Sequence, residues 1–169
     1  MNDKLKGFLK DLLEAFIIAI VIVVLLFKFV LMSVEVSGSS MVPTLCSYER
    51  GISFIVTKNI GINRFDICVI KSDKTSDFLV KRVIGLPNET IEYIDNKLYV
   101  NGEYVKEDFL DNVYTGDFTY TLGEDEYYCL GDNRSVSRDS RYYGPFKKED
   151  IKATHVFVYY PFSLAGFKK

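Results

Sequence analysis

The chain has 169 residues, 48% of them apolar and 15% aromatic, with a net charge of −2 and an isoelectric point near 5.5. Its interspersed acidic and basic residues lack the basic footprint of a nucleic-acid binder, so no nucleic-acid partner is expected. Three cysteines without a CxxC and a single histidine, His155, exclude a typical His/Cys zinc site and a fully paired disulfide framework; no metal and no cofactor is expected.

Residues 1–11 carry Lys4, Lys6 and Lys10 among Asp3 and Asp11. Residues 12–32 then read LLEAFIIAIVIVVLLFKFVLM, broken only by Glu14 and Lys28. A helix of that length spans roughly 30 Å, the thickness of the hydrocarbon core. Glu14 lies within a turn of its start, and the long stem of Lys28 can carry its charge out to the interface. The run is too long for a cleaved signal peptide, and MSVEVSG after it offers no small-x-small site, so it reads as a retained anchor in the lipid bilayer. Basic residues before the span place residues 1–11 in the cytoplasm. Residues 33–169 then form one extracytoplasmic, β-rich domain of a single-pass cell-membrane protein.

Beyond the anchor the pattern predicts short strands separated by turn residues. ISFIVT (52–57), DICVIK (66–71) and DFLVKRVIG (77–85) come first. TIEYI and KLYVNGEYV flank Asp95-Asn96, a two-residue hairpin signal that Asn101-Gly102 repeats. YYCLG and HVFVYY complete the set, with short helical turns near 41–45 and 147–151. The fold class is mainly β with one N-terminal transmembrane helix. Cys68 and Cys129 fall inside apolar runs and read as buried free thiols, although one disulfide stays open.

Three segments carry the candidate chemistry. SGSSMVPTL (37–45) is by composition a turn, but it places Ser40 directly after a membrane-length run. A serine hydroxyl is a poor nucleophile without a base to take its proton. His155 sits in ATHVFVYY, where a core or surface histidine is the simpler reading. Lys81, in FLVKRVIG, can serve if burial holds it neutral. In a strand Lys81 and Arg82 point to opposite faces, so one can face an apolar cavity while the other pairs with a carboxylate. Lys81 equally suits an edge-strand lysine that guards against aggregation, and the strand alone does not choose. GDNRSVSRDSR (131–141) is either a solvated charged loop or a scaffold braced by bidentate Asp–Arg bonds, with a serine able to orient a neutral lysine.

Together these segments resemble the bacterial type I signal peptidases, membrane-bound serine–lysine endopeptidases with a catalytic β-fold shared with LexA-like proteins. Four blocks carry the resemblance in the family's order: SGSSMVPTL (37–45), NRFDICVI (63–70), KRVIGLPNE (81–89) and GDNRSVSRDSR (131–141). The resemblance implies that Ser40 is the nucleophile, Lys81 the general base and preprotein signal peptides the substrates. It implies that Ser137 holds Lys81, that Asp139 and Arg141 brace the site and that Asp132 pairs with Arg82. Where some members carry an oxyanion-binding serine, this chain has Gly38, so backbone N–H groups including that of Ser40 must serve. Phe65 stands where the family has glycine, and Asn88-Glu89 replaces a Gly-Asp. The single anchor and short 81–131 interval resemble the compact Gram-positive members.

An extended substrate clamped between the strand entering Ser40 and the strand of Lys81 would meet Val34 and Val36, with Leu45 and Val80 nearby. These four are expected to line two shallow pockets that fit the family's preference for small residues at the first and third positions before the cut. Two rival readings differ in class: a LexA-like self-cleaving serine–lysine protein, and a non-catalytic membrane-tethered β-domain that binds a partner.

Overall fold

Apolarity without a break makes the first element. In the computed structural model, which describes residues 3–110 and 113–168, helix α1 runs Asp3–Phe29. Its 27 residues extend about 40 Å at the α-helical rise. Every side chain from Lys4 to Phe29 is exposed, and the helix is long and apolar enough to cross a membrane. It ends three residues before the expected boundary at Met32. Leu31 and Met32 instead open strand β1 (Leu31–Glu35), where they pair with Phe54 and Ser53. The backbone needs of a sheet edge, which hydropathy does not register, set that boundary. The proposed segments 1–11 and 33–169 include residues 1–2, 111–112 and 169, which lie outside the described residues.

The remaining strands and α-helices are β2 (Arg50–Phe54), α2 (Thr57–Ile60), β3 (Ile67–Ile70), β4 (Leu79–Gly85), β5 (Thr90–Ile94), β6 (Lys97–Val100), β7 (Glu103–Val105), β8 (Phe118–Thr121), β9 (Glu126–Leu130), α3 (Ser140–Tyr143), β10 (Phe146–Lys147), β11 (Ile151–Tyr160) and β12 (Gly166–Lys168), with short 3-10 turns at Lys148–Asp150 and Phe162–Leu164. They form two antiparallel sheets. The larger has the order β1-β2-β11-β3-β4-β9-β10, with β12 also on β11; the smaller has the order β7-β6-β5-β8. The mainly β class holds. The expected strand at 52–57 ends at Phe54, because Thr57 turns its hydroxyl back onto the Phe54 carbonyl at 2.7 Å and starts α2.

Turn chemistry fixes the smaller sheet. Asp95 and Asn96 take φ values of 49° and 61°, the left-handed pair a two-residue hairpin requires, and set the register Ile94↔Lys97. Asn101 and Gly102 repeat this at 50° and 84° between β6 and β7. Ile91, Tyr93, Leu98 and Val100 face inward and pack with Ile84 and Leu130 of the larger sheet. One core cluster therefore joins the two sheets, and β4 runs from that core out to the groove that holds the candidate chemistry.

Candidate active site

The turn that carries Ser40 is held from below. Past β1, Val36 continues the ladder by donating to Glu49 O at 2.9 Å and accepting from Tyr48 N at 2.9 Å. The turn that follows buries Met41 and Leu45, which pack with Val36, Ile67, Val156 and Val158. That anchoring leaves Ser40 on the opposite side, facing the groove. From above, Asn133 donates its backbone N–H to Ser40 O at 3.0 Å and its side-chain amide to Ser39 O at 3.1 Å. Gly38 takes φ of 89° with open space where a side chain would stand, so nothing crowds the mouth of the site there. Among the described residues, the Ser40 N–H has no intramolecular acceptor.

Strand β4 delivers the lysine. Cys68↔Lys81 and Ile67↔Arg82 are consecutive pairs with β3, and alternation sends the two basic side chains to opposite faces. Lys81 Nζ lies 2.7 Å from Ser40 Oγ, in hydrogen-bond contact, and donates to Val80 O at 3.1 Å. Lys81 is 3% exposed. Burial pulls its ammonium below the ordinary pKa of 10.5, against an opposing pull led by the Asp139 carboxylate.

Arg82, on the other face, makes a two-pronged bond to Asp132, Nε to Oδ1 at 2.8 Å and Nη2 to Oδ2 at 2.6 Å. Both side chains are almost wholly buried, at 1% and 0% exposure. Thr44 Oγ1 donates to the same Asp132 Oδ2, and Arg82 Nη2 donates to Thr44 Oγ1 at 3.3 Å. Thr44, four residues past Ser40, is a residue the sequence reading passed over. Its only signal there was its place in the SGSSMVPTL block.

In the 131–141 loop, Asp139 is fully buried and accepts from Gly131 N at 3.0 Å and from Arg141 Nε and Nη2 at 3.0 and 2.9 Å. It also caps α3 by accepting from Arg141 N. Asp139 and Arg141 thus form a brace around Gly131. Arg134, also passed over, reaches from this loop into the smaller sheet. It donates to Gly131 O at 3.0 Å, Tyr93 OH at 2.8 Å and Glu107 Oε1 at 2.6 Å.

Two expectations require correction. Ser137 does not bond to Lys81. Its Oγ is shielded from solvent, lies against Gly131 and carries no hydrogen bond among the described residues. Leu45 does not line the groove beside Ser40. It is 0% exposed and belongs to the core beneath the turn. Val34, Val36 and Val80 do line a groove of about 310 Å³ that ends at Ser40 and Lys81.

The departures from the family pattern are accommodated. Phe65 adopts φ of 73°, a conformation that costs a bulky L-residue about 1–2 kcal/mol. Its carbonyl accepts from Arg82 Nη1 at 2.9 Å and its ring packs on Phe109 at 5.0 Å. Asn88 takes φ of 66°, and Glu89 receives both Arg64 guanidinium nitrogens at 2.9 and 2.6 Å. His155 stands apart on β11, with Nε2 at 3.5 Å from Asp66 and Nδ1 at 3.0 Å from Thr154 Oγ1. Cys68 and Cys129 are buried, free thiols with sulfurs 3.8 Å apart.

Comparison with known proteins shows what the whole chain is similar to. The family described as "Signal peptidase, peptidase S26" matches residues 9–160. A signal peptidase I of Bacillus caldolyticus is 41% identical, over 89% of this chain and 91% of its own length. Signal peptidase I S of Bacillus subtilis strain 168 is 38% identical, over 91% and 92% respectively. A crystal structure of a signal peptidase I from Enterococcus faecalis V583 superposes with a TM-score of 0.52 at 40% identity, covering 55% of this chain and 95% of that one.

Proposed function

This chain belongs to the signal peptidase family, peptidase S26, and on that premise we propose that it is a membrane-anchored serine endopeptidase that removes signal peptides from exported preproteins by a Ser40–Lys81 dyad. The observation that carries the dyad is the 2.7 Å approach of a buried, desolvated Lys81 Nζ to Ser40 Oγ. In its neutral form Lys81 presents a lone pair to the Ser40 hydroxyl. Ser40 Oγ attacks the scissile carbonyl carbon while Nζ takes the hydroxyl proton. The oxyanion that forms meets the unpartnered Ser40 N–H. As the intermediate collapses, the C–N bond breaks, the Lys81 ammonium returns its proton to the leaving amine, and an acyl ester remains on Ser40. Neutral Lys81 then takes a proton from water, whose oxygen attacks the ester. Collapse releases the signal-peptide carboxylate and restores the Ser40 hydroxyl with the proton held by Lys81.

Helix α1 anchors the enzyme with its N-terminus cytoplasmic and the β-domain on the extracytoplasmic face, next to its substrates in the bilayer. Strand β1 lies at the end of the sheet order, and β4 pairs with β9 only from Arg82 onward. The edges at 31–35 and 79–81 can therefore receive an extended peptide as an added strand. Val34, Val36 and Val80 then make shallow walls that admit small residues at the first and third positions before the cut. A LexA-like self-cleaving reading needs a helical DNA-binding unit ahead of the β-domain, where the described residues form an exposed apolar helix.

Processing of a preprotein bearing an Ala-x-Ala site, followed by gel shift and N-terminal sequencing, tests the proposal. Ser40→Ala and Lys81→Ala should abolish cleavage while His155→Ala retains most of it. Normal processing by Ser40→Ala would overturn the dyad, and a parent protein that cleaves nothing would favour the partner-binding reading instead.

A further inference from the structure

Ser40 and Lys81 stand at the junction of two cavities, of which the substrate groove is one. The second, about 370 Å³, shares Ser37, Ser40, Leu79 and Lys81 with the first and continues between two loops. Ser76 and Asp77 come from the loop before β4, and Val136, Arg138 and Tyr143 from the loop and helix after β9. Resting on the proposed function, we infer that this second cavity holds the residues that follow the scissile bond, and that Asp77 and Arg138 set a charge preference in that leaving segment.

The direction follows from chain order. The first groove is lined in succession from Met32 to Ser37, beginning three residues after α1 closes at Phe29 and ending at the nucleophile. In a preprotein the apolar part of the signal peptide lies in the bilayer and precedes the cut. It therefore approaches along Met32–Ser37, and the acyl half of the substrate fills the valine-lined groove. The new amino terminus must depart on the other side of Ser40, into the second cavity. The two cavities differ in charge, with Glu35 among valines and Met32 before Ser40, and the opposite charges of Asp77 and Arg138 among hydroxyls, Val136 and Tyr143 after it.

Asp77 and Arg138 are both exposed and each carries one charge into this cavity. The Asp77 carboxylate accepts from Ser76 Oγ at 3.0 Å, and the Arg138 guanidinium lies 5.5 Å from the centre of the Tyr142 ring. Neither belongs to the buried bracing around Gly131, so changing one alters the field along the exit without disturbing the dyad. Exposed charge pairs of this kind shift selectivity by about two- to fivefold, and salt weakens them.

Three preproteins with one signal peptide, differing only in Asp, Lys or Ser at the second and third positions after the cut, test the inference with the full-length enzyme in detergent micelles. On the serine substrate, Asp77→Asn and Arg138→Gln should match the parent in kcat/KM. Asp77→Asn should raise the ratio of kcat/KM for the acidic over the basic substrate by about two- to fivefold, and Arg138→Gln should lower it as much, both effects fading at high salt. Ratios that stay unchanged, or that move in the same direction in both variants, would overturn the inference while leaving the peptidase intact. A parent enzyme that cut none of the three would overturn the peptidase reading, and the inference with it.

Discussion

Thr44 donates its hydroxyl to Asp132 across 88 residues of sequence, and Asp132 in turn receives two guanidinium bonds from Arg82, the neighbour of Lys81. The turn that carries Ser40, the strand that carries Lys81 and the loop after β9 thus meet at one buried node. Thr44→Val keeps the volume but removes one donor from a buried carboxylate. It should lower unfolding stability by about 1–3 kcal/mol, read as a shift in the urea midpoint, whereas Thr44→Ser should stay near the parent. A loss in Thr44→Ser with Thr44→Val near the parent would show that the methyl group, not the hydroxyl, matters.

Breaking the node's ion pair should cost more. Arg82→Ala leaves Asp132 buried at 0% exposure without its two-pronged partner, a change expected to destabilise by about 3–5 kcal/mol. Arg82→Lys cannot reproduce the planar fork and should recover only part of that loss. Thermal unfolding of the three proteins measures this. Full recovery by lysine would reduce the pair to a simple charge effect.

Gly131 is a contact requirement. A Cβ there would collide with Ser137 Oγ and with the Ser40 carbonyl, at the junction where the 131–141 loop meets the turn that carries Ser40. Gly131→Ala should push Ser40 out of line and lower kcat/KM by about ten- to a hundredfold, with the circular dichroism spectrum retained. Unchanged kcat/KM would mean that the turn yields without moving Ser40.

Lys81 also predicts a stability cost with a defined pH dependence. Its folded pKa is lowered by burial while the unfolded chain keeps the ordinary value of 10.5. Between those two values the unfolded state binds more protons, so the parent gains stability as pH rises through that window. Lys81→Met should therefore be more stable than the parent at pH 7, with the advantage shrinking as pH approaches 10.5. Denaturant midpoints at a series of pH values read this directly, and a constant difference across the series would contradict it.

Much of this was legible where local chemistry is decisive. Asp95-Asn96 and Asn101-Gly102 named their hairpins because few residues accept those φ values. The alternation of Lys81 and Arg82 followed from the pleat alone. Contacts that depend on distant partners were not legible. Nothing near Leu45 in sequence distinguishes a pocket wall from a core residue, since that depends on Ile67, Val156 and Val158 closing beneath it. The end of α1 was hidden because Leu31 and Met32 are as apolar as the helix before them. Arg134 reads as one more charge in a charged loop until β5 brings Tyr93 to it, and Thr44 reads as turn composition until Asp132 arrives. The family resemblance supplied Ser137 with a partner, but its hydroxyl here sits against Gly131 without a hydrogen bond among the described residues.

The central claim is that a neutral Lys81 activates Ser40, and the pH dependence of kcat/KM for a preprotein tests it most directly, because that profile reports the ionisations of the free enzyme. The account predicts a limb that rises with pH through a pKa below 10.5, reflecting loss of the Lys81 proton, and activity that is weak in acid and strongest toward the alkaline side. A profile that follows an ordinary carboxylate and stays flat from about pH 6 upward would contradict it.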